Sequence, residues 1–210
     1  MAMPTNVVAL TLGAPDEELA RAELYGLLAQ LWLAPPDAAL LAQFAVAVTQ
    51  APHSGGHLEV PWQNLVAAMR ATNAQAAAEE HDALFHGVGK PEVFAYGSYY
   101  LSGFLNEKPL AALRTDLNLL GLTRDAARVE TEDHVAYVFE VMRYLIAGED
   151  AAVSNLEKQR HFFRAHVQSW VTLMCDAVIA HPRAHTWRAV AALTASFVEV
   201  EAQGFDLLEA

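Results

Sequence analysis

Apolar residues recur at helical spacing through almost the whole chain, and this periodicity most constrains its fold. The clearest run lies between residues 135 and 146, where apolar side chains follow the i, i+3, i+4, i+7 pattern of an amphipathic helix. No segment shows the clear apolar–polar alternation of a half-buried strand. Apolar residues make up 54% of the 210 residues, so a large core can be buried. The sequence therefore predicts an all-α fold, a single-domain irregular helical bundle over residues 15–210, with residues 1–14 as a flexible tail.

Prolines, glycines and capping residues divide this pattern into separate predicted helices. Thr131 is the predicted N-cap of one helix, which places Asp133 and His134 in its first turn. Ser154 and Glu157 have capping-box spacing and are predicted to open one long helix to about residue 180. The predicted helices cover about residues 16–34, 37–50, 61–85, 97–105, 108–120, 131–147, 154–180 and 183–203.

Charge and cysteine content narrow the functional classes. The chain has 13 Lys and Arg against 25 Asp and Glu, a net charge of −12. This balance argues against nucleic-acid binding, which needs a basic face. It fits a cationic partner, but equally a surface whose acidity only keeps the protein soluble. Cys175 is the only cysteine, so no intrachain disulfide is possible, as is usual in a reducing compartment. Because residues 1–11 lack the features of a signal peptide and no apolar run has the length of a membrane span, we expect a cytoplasmic protein.

The segment from Glu130 to His134 is a candidate polar site. Glu130, Glu132, Asp133 and His134 stand directly before the most regular apolar run of the chain. Acids at a helix start are common, because free N–H groups and the helix dipole favour negative charge. A capped helix start with a hydrogen-bonded histidine is therefore the plainer interpretation of the segment. Helical geometry turns His134 toward the core face and Asp133 more toward solvent.

A glycine loop with nearby tyrosines is the second candidate. A predicted helix ends on Leu84-Phe85 and is followed by Gly87, Gly89 and Pro91, a spacing that matches neither a P-loop nor a dinucleotide fingerprint. Tyrosines 96, 99 and 100 then supply large amphipathic surface, which is typical of peptide-binding surfaces but equally of rings that pack a loop onto a bundle. On the predicted long helix, His166 and Trp170 face the core, where a hydrogen-bonded histidine is expected.

Metal and covalent catalysis have weak support in the sequence. No Glu-x-x-His or Asp-x-x-His pair occurs, although helical di-iron bundles use such pairs. The histidines at 181 and 185 are separated by a proline at a helix boundary, and those at 53 and 57 lie in a glycine loop. Cys175 and Ser98 lack the surroundings of a catalytic nucleophile. We therefore expect no cofactor, no metal site and no catalytic residue.

An ordered set of motifs extends over about residues 16–203. Its residues are Glu80, Leu84, Phe85, Gly87, Gly89, Pro91, Tyr96, Ser98, Tyr100, Leu113-Arg114, Leu119 to Leu122, Glu130, Asp133, His134, Phe162, Phe163, His166, Trp170, Phe197 and Glu201. This set resembles the TorD/DmsD/NarJ family of redox-enzyme maturation chaperones. One departure is His81, because family members often have an aromatic residue directly after the glutamate of the Glu-x-x-x-Leu-Phe run. The binding role of that aromatic residue is therefore not carried over.

The resemblance implies an all-helical cytosolic chaperone that is not an enzyme. Family members bind the twin-arginine signal peptide of a molybdenum-cofactor oxidoreductase and hold back its export until the cofactor is inserted. By position, the resemblance assigns Asp133, His134, Leu84, Phe85 and Tyr96 to the peptide groove. The partners implied are the molybdoenzyme catalytic subunit and its signal peptide, and the resemblance allows a monomer or a helix-exchanged homodimer. The client can be a formate dehydrogenase or a trimethylamine-oxide, dimethyl-sulfoxide or nitrate reductase.

The residue chemistry agrees with that ligand. Two guanidinium groups require carboxylates, and the following apolar stretch requires an apolar groove. Two alternatives stay open: a metal-dependent helical-bundle enzyme that uses His134 with nearby carboxylates, and an assembly factor that binds only the mature client. The predicted peptide-binding residues are Asp133, His134, Glu130, Glu132, Leu84, Phe85, Tyr96 and Tyr100, supported by Gly87, Gly89, Pro91, Ser98, His166 and Trp170.

Overall fold

The computed structural model describes residues 14–49, 56–87, 89–125 and 129–207, and most of them are helical. Within these ranges no strand is present, only an isolated antiparallel bridge between Tyr96 and His134, and the predicted all-α fold is confirmed. Nearly all of the predicted tail, together with His53, lies outside the described residues. The helices are α1 (Ala14–Leu33), α2 (Ala38–Val46), α3 (Glu59–Ala71), α4 (Ala74–His81), α5 (Gly97–Ser102), α6 (Lys108–Leu119), α7 (Val135–Ala147), α8 (Leu156–Phe163), α9 (Val171–Ala180) and α10 (Thr186–Leu207). The π-helical segments Asp82–His86 and Arg164–Gln168 continue α4 and α8 directly.

The core forms where α1 packs against α7 and α10. Tyr25 of α1 is fully buried and contacts the ring edges of Phe139 in α7 and Phe197 in α10, at centroid distances of 5.4 and 4.7 Å. Its hydroxyl donates to Glu201, which also pairs with Arg21 at 2.7 Å. The one buried carboxylate of α10 is thus compensated by two donors from α1, as a buried charge requires. No described helix has both the length and the apolar character needed to cross a bilayer.

Two helices that the periodicity predicts as continuous are broken in the structure. Between α3 and α4 the chain is extended at Thr72 and Asn73, and the Asn73 side chain accepts from the Ala76 N–H at 3.0 Å. The predicted helix from residue 154 to 180 likewise divides into α8, a π-helical segment and α9. The breaks were missed because asparagine capping and a change from α to π pitch leave apolar periodicity almost unaltered.

The predicted cap of α8 is also wrong by one residue. Asn155, not Ser154, occupies the N-cap, and its side chain accepts from the Lys158 N–H at 3.0 Å. The Ser154 hydroxyl instead donates to the Tyr144 carbonyl at the end of α7, at 3.1 Å. The serine therefore ties the α7–α8 connection to the helix before it.

Glu80 joins α4 to the start of α10. Its carboxylate accepts from the backbone N–H groups of His185, Thr186 and Trp187 at 2.8, 3.0 and 2.9 Å. These are N–H groups at the start of a helix, which have no intrahelical acceptor, and the helix dipole favours a negative charge there. The residue that opens the Glu-x-x-x-Leu-Phe run is therefore a cap for a helix more than 100 residues further along the chain.

Candidate functional site

The segment before α7 is held against the segment before α5 by backbone hydrogen bonds. The Val135 N–H donates to the Ala95 carbonyl and the Gly97 N–H to the Asp133 carbonyl, each at 2.9 Å. With the Tyr96–His134 bridge, these bonds hold the His134 backbone extended, so α7 begins only at Val135. The two regions that the sequence marks as candidate sites are therefore one structural unit.

Asp133 is enclosed in this unit. It is only 4% exposed, so the prediction that it points toward solvent is wrong. One carboxylate oxygen accepts from the Ser98 N–H at 2.9 Å, and the other accepts from the Thr131 hydroxyl at 2.6 Å. Tyr96 is the N-cap residue of α5, but its side chain makes no capping hydrogen bond. Asp133, from a distant part of the chain, caps the first turn of α5 instead.

His134 is the N-cap of α7, and the prediction that Thr131 has this role is wrong. The His134 Nδ1 accepts from the Ala136 N–H at 3.2 Å. Its ring lies against the rings of Tyr96 and Tyr137, at centroid distances of 5.1 and 5.9 Å. Burial lowers the pKa of His134 to about 4, so the imidazole is neutral at neutral pH.

Glu130 and Glu132 lie closer to the surface and contact different partners. The Tyr96 hydroxyl donates to Glu130, and burial together with this carboxylate raises the pKa of Tyr96. Glu132 accepts two hydrogen bonds from Arg114, at 2.8 and 3.1 Å, and lies 4.0 Å from Arg124. The bidentate bond from Arg114 lowers the pKa of Glu132 and keeps it ionised.

Glu132 also lines a cleft of about 290 Å³ between the end of α6, the segment after it and α7. The cleft surface is mostly apolar, and its charged residues are three acids, Asp125, Glu132 and Glu140, and one base, Arg124. Tyr144, also in its lining, is 40% exposed. A neighbouring groove of about 510 Å³ between α1 and α7 shares Tyr137 and Glu140 with it. The residues of the cleft are Leu117, Leu122, Thr123, Arg124, Asp125, Glu132, Tyr137, Glu140, Val141 and Tyr144.

The predicted apolar half of the site lies elsewhere. Leu84 is fully buried, and Phe85 packs on the ring edges of Trp32 and Trp187 at 5.8 and 6.1 Å. Tyr100 stacks on Trp170 at 5.9 Å and donates its hydroxyl to a backbone carbonyl. None of these rings lines the cleft, and Glu132 is the only predicted peptide-binding residue that does.

The predicted supporting residues have defined structural contacts. The Ser98 side chain accepts from the Asn106 N–H at 3.3 Å. His166 is buried, as expected for a core histidine, and its Nε2 lies 2.6 Å from Asp116. The Trp170 indole donates to the His166 carbonyl at 2.7 Å, which joins the end of the second π-helical segment to α9.

The glycine loop turns sharply at two positions. Gly87 has φ of +53°, and a Cβ atom there would lie 2.3 Å from the Lys90 carbonyl oxygen. Gly89 has φ of +93° with open space around it, and Pro91 follows, half-buried. Only Gly87 therefore combines a left-handed backbone with a steric requirement for glycine.

Sequence reasoning missed the exposed face of α7. Tyr137, Glu140 and Tyr144 follow at i, i+3 and i+7, a spacing that places them on one side of a helix. Glu140 is exposed and pairs with Arg143 at 3.3 Å. The apolar spacing of α7 identifies only its buried face. The spacing of Tyr137, Glu140 and Tyr144 on the opposite, exposed face was the signal that could have indicated this surface.

A metal centre at His134 has no support from this geometry. Its Nδ1 and both oxygens of Asp133 already accept hydrogen bonds from the protein. Within the described ranges, the one group of His, Cys, Asp and Glu side chains close enough to share an ion is His81, Asp82 and His86. That group lies at the end of α4, and it does not include His134.

Comparison with known proteins identifies the family of the chain. None of the curated proteins compared with the chain is similar enough to count as a match. The family model described as "Nitrate reductase delta subunit" matches residues 55–176, a range that runs from just before α3 into α9. The range therefore includes Glu80, which caps α10, the glycine loop, the cleft, and the buried residues Asp133 and His134. This match spans more than half of the chain, which belongs to the nitrate reductase delta subunit family, a family of redox-enzyme maturation chaperones.

Proposed function

We propose that this protein is a cytoplasmic chaperone that binds the twin-arginine signal peptide of a molybdoenzyme subunit before export. The proposal extends the general maturation role of the family to a definite ligand and site. The peptide offers two guanidinium groups and an apolar stretch. The cleft beside α7 offers carboxylates beside apolar surface, on a protein with a net charge of −12.

One observation carries the proposal: Glu132 already binds a guanidinium group in the lining of the cleft. Its two oxygens accept from Arg114 in the bidentate geometry that arginine and carboxylate prefer. The Arg114 side chain is 49% exposed, whereas that of Glu132 is 14% exposed. Because the arginine end of this pair is half exposed and the carboxylate end is nearly enclosed, a peptide arginine can take the place of Arg114 while the carboxylate keeps its position.

The remaining cleft residues suit the segment that follows the arginines. Tyr137 and Tyr144 present partly exposed rings on the same face of α7, and Leu122 and Val141 add apolar area between them. Glu140 lies between the two tyrosines and is available for the second arginine, again by exchange with an internal partner, Arg143. The occupant is thus a short segment with its charges at one end.

Asp133, His134 and Tyr96 have a positioning role in this proposal. Their contacts are internal, and together they fix the start of α7 and the segment that carries Glu130 and Glu132. Substitutions at these positions would therefore affect the peptide indirectly. Leu84, Phe85 and Tyr100 support the same unit from its core side.

The test is calorimetric titration with a synthetic signal peptide that carries the arginine pair and its apolar stretch. Glu132→Gln should weaken binding by about fivefold or more, since a charge-assisted bond contributes roughly 1.5–3 kcal/mol before solvent screening. Glu199→Gln is the matched control, because Glu199 is also a surface glutamate with an internal partner, His57, but lies on α10. A peptide with two lysines in place of the arginines should bind more weakly, as lysine lacks the bidentate geometry.

Equal affinity of the wild type and Glu132→Gln would refute the cleft as the binding site. Binding of client that lacks its signal peptide, with no binding of the peptide itself, would favour the alternative of an assembly factor for the mature client. Both outcomes leave family membership unaffected.

A further inference from the structure

The helix pitch changes where α4 continues into the π-helical segment Asp82–His86. In an α-helix, residues five apart point about 140° away from each other. In a π-helix the hydrogen bonds run from i+5 to i, as from the Gly87 N–H to the Asp82 carbonyl at 2.9 Å, so residues five apart return to one side. His81 and His86 accordingly face each other, with ring centroids 5.1 Å apart.

Asp82 completes this group. The His86 Nδ1 lies 3.3 Å from an Asp82 carboxylate oxygen, and one potential ligand atom from each of the three side chains lies within 4.8 Å of the others. Two ligand atoms of a tetrahedral zinc ion, each at roughly 2.0–2.1 Å from the metal, are about 3.3 Å apart. The side chains of Asp82 and His86 are 73% and 59% exposed, so they can move to close the remaining distance.

His81 supplies an independent sign of a ligand. It is 3% exposed, and neither of its ring nitrogens has a hydrogen-bond partner among the residues that the structure describes. A buried imidazole without a partner destabilises the fold, because the ring has lost its hydrogen bonds to water. The rings of Phe85 and Trp187, at centroid distances of 5.1 and 5.0 Å, offer no acceptor, and the nearby backbone of Trp32 lies outside hydrogen-bond geometry. A metal ion would coordinate the unshared electron pair of one His81 ring nitrogen, which no other group uses.

We propose that His81, Asp82 and His86 form a binding site for a divalent transition-metal ion such as zinc. Two imidazole nitrogens and one carboxylate oxygen suit zinc, and the exposed side leaves a fourth position for water or for a side chain of a partner protein. The site adjoins Glu80, which caps α10, and Gly87, which begins the glycine loop. Metal binding would therefore tighten the contact between α4, α10 and this loop.

A second histidine–aspartate group serves as a natural comparison. The Nε2 atoms of His161 and His166 lie 3.5 and 2.6 Å from the same oxygen of Asp116. Here the buried histidine already has a short hydrogen bond to the carboxylate, so no ring is left without a partner. We infer no ion at this group, and its exposed member makes a suitable control variant.

The experiment uses zinc ions and full-length, untagged protein that has been stripped with a chelator. Competition against a chromophoric chelator should give one zinc ion per chain. His86→Gln and Asp82→Asn should each weaken zinc binding by at least about tenfold, because loss of even an outer partner of a metal ligand costs about 10–100-fold. His161→Gln and His57→Gln, which alter exposed histidines beside other carboxylates, should change it less than about twofold.

His81→Phe adds a readout that a weak surface site would not give. Phenylalanine fills the same aromatic cluster without an unpaired nitrogen, so the variant should be at least as stable as the wild type without zinc. Zinc should raise the thermal midpoint of the wild type and not that of His81→Phe. The absence of a stoichiometric ion, unchanged affinity in His86→Gln, or equal stabilisation of His81→Phe would each overturn the proposal.

Discussion

Replacement of Asp133 by asparagine is the sharpest test of the claim that this buried carboxylate positions the site and does not bind the ligand. The wild-type carboxylate accepts from the Ser98 N–H at 2.9 Å and from the Thr131 hydroxyl at 2.6 Å, at a position that is 4% exposed. An amide can keep its oxygen toward the Ser98 N–H and turn its NH₂ group to the Thr131 hydroxyl, which can rotate to accept. The variant therefore replaces two hydrogen bonds to a charged carboxylate by two neutral ones.

The expected loss can be worked from these contacts. A hydrogen bond to a charged group contributes roughly 1.5–3 kcal/mol and a neutral one roughly 0.5–1.5 kcal/mol, so the two replacements together cost about 2–3 kcal/mol. Asp133→Asn should lower the free energy of unfolding by this amount. For a domain of this size, that loss lowers the thermal midpoint by roughly 4–12 °C.

Urea denaturation and thermal unfolding measure this loss, and calorimetric peptide titration measures its consequence for binding. Asp176→Asn is the control, because Asp176 is exposed on α9 and should change stability by less than about 0.5 kcal/mol. At a temperature where Asp133→Asn is folded, its peptide affinity should stay within about threefold of the wild type, since only a direct ligand contact loses a charge-assisted bond to the peptide. Unchanged stability, or normal stability with lost affinity, would refute the positioning role.

Three further predictions concern the elements around the site. Glu80→Ala should destabilise the protein by about 2–3 kcal/mol in urea denaturation, because three N–H groups of α10 lose their acceptor, whereas Glu79→Gln next to it should be nearly neutral. Gly87→Ala should cost more stability than Gly89→Ala, since both have positive φ but only the first would place a Cβ atom against a carbonyl oxygen; equal losses would contradict the geometry. Burial lowers the pKa of His134 to about 4 from an unfolded value near 6.5, so its contribution to stability is complete above pH 6.5 and is lost as the pH falls toward 4; His134→Gln should reduce this slope.

Helical periodicity predicted the fold class because the buried stripe of a helix follows directly from residue spacing. The buried positions of α7, such as Val138 and Met142, were identified in this way and are confirmed as core residues. Helix ends were less predictable. Thr131 and Ser154 were chosen as caps from local spacing, whereas the structure uses His134 and Asn155. His134 is the cap because a bridge to Tyr96 holds its backbone extended. This contact joins distant parts of the chain, so it cannot be predicted from the residues next to His134.

The candidate site divides along the same line. The segments 130–134 and 96–100 were both recognisable from their residue types. The backbone hydrogen bonds that join them were not. Glu132 was identified as a guanidinium ligand by its charge, and the structure places it at a cleft. Arg114, its internal partner, is 18 residues away, and such a pair becomes visible only when α6 and α7 are placed side by side. The role of Glu132 in peptide binding stays a prediction.

The π-helical segment shows a different limit. His81 and His86 are five residues apart, a spacing that an α-helix places on different faces, so the sequence predicted no metal site from them. The change of pitch brings their rings to a centroid distance of 5.1 Å. Local changes of helix type are hard to infer from apolar spacing, and they often mark functional positions.

Photo-crosslinking of a bound signal peptide tests the central claim most directly. A peptide with the arginine pair and a photoreactive phenylalanine in its apolar stretch is irradiated with the full-length protein, and the crosslinked residues are mapped by mass spectrometry. We expect crosslinks to residues 117–125 and 137–144, the two sides of the cleft, and competition by unlabelled arginine peptide. Crosslinks confined to residues 84–100, or crosslinks that persist unchanged with a peptide lacking the arginines, would contradict the account.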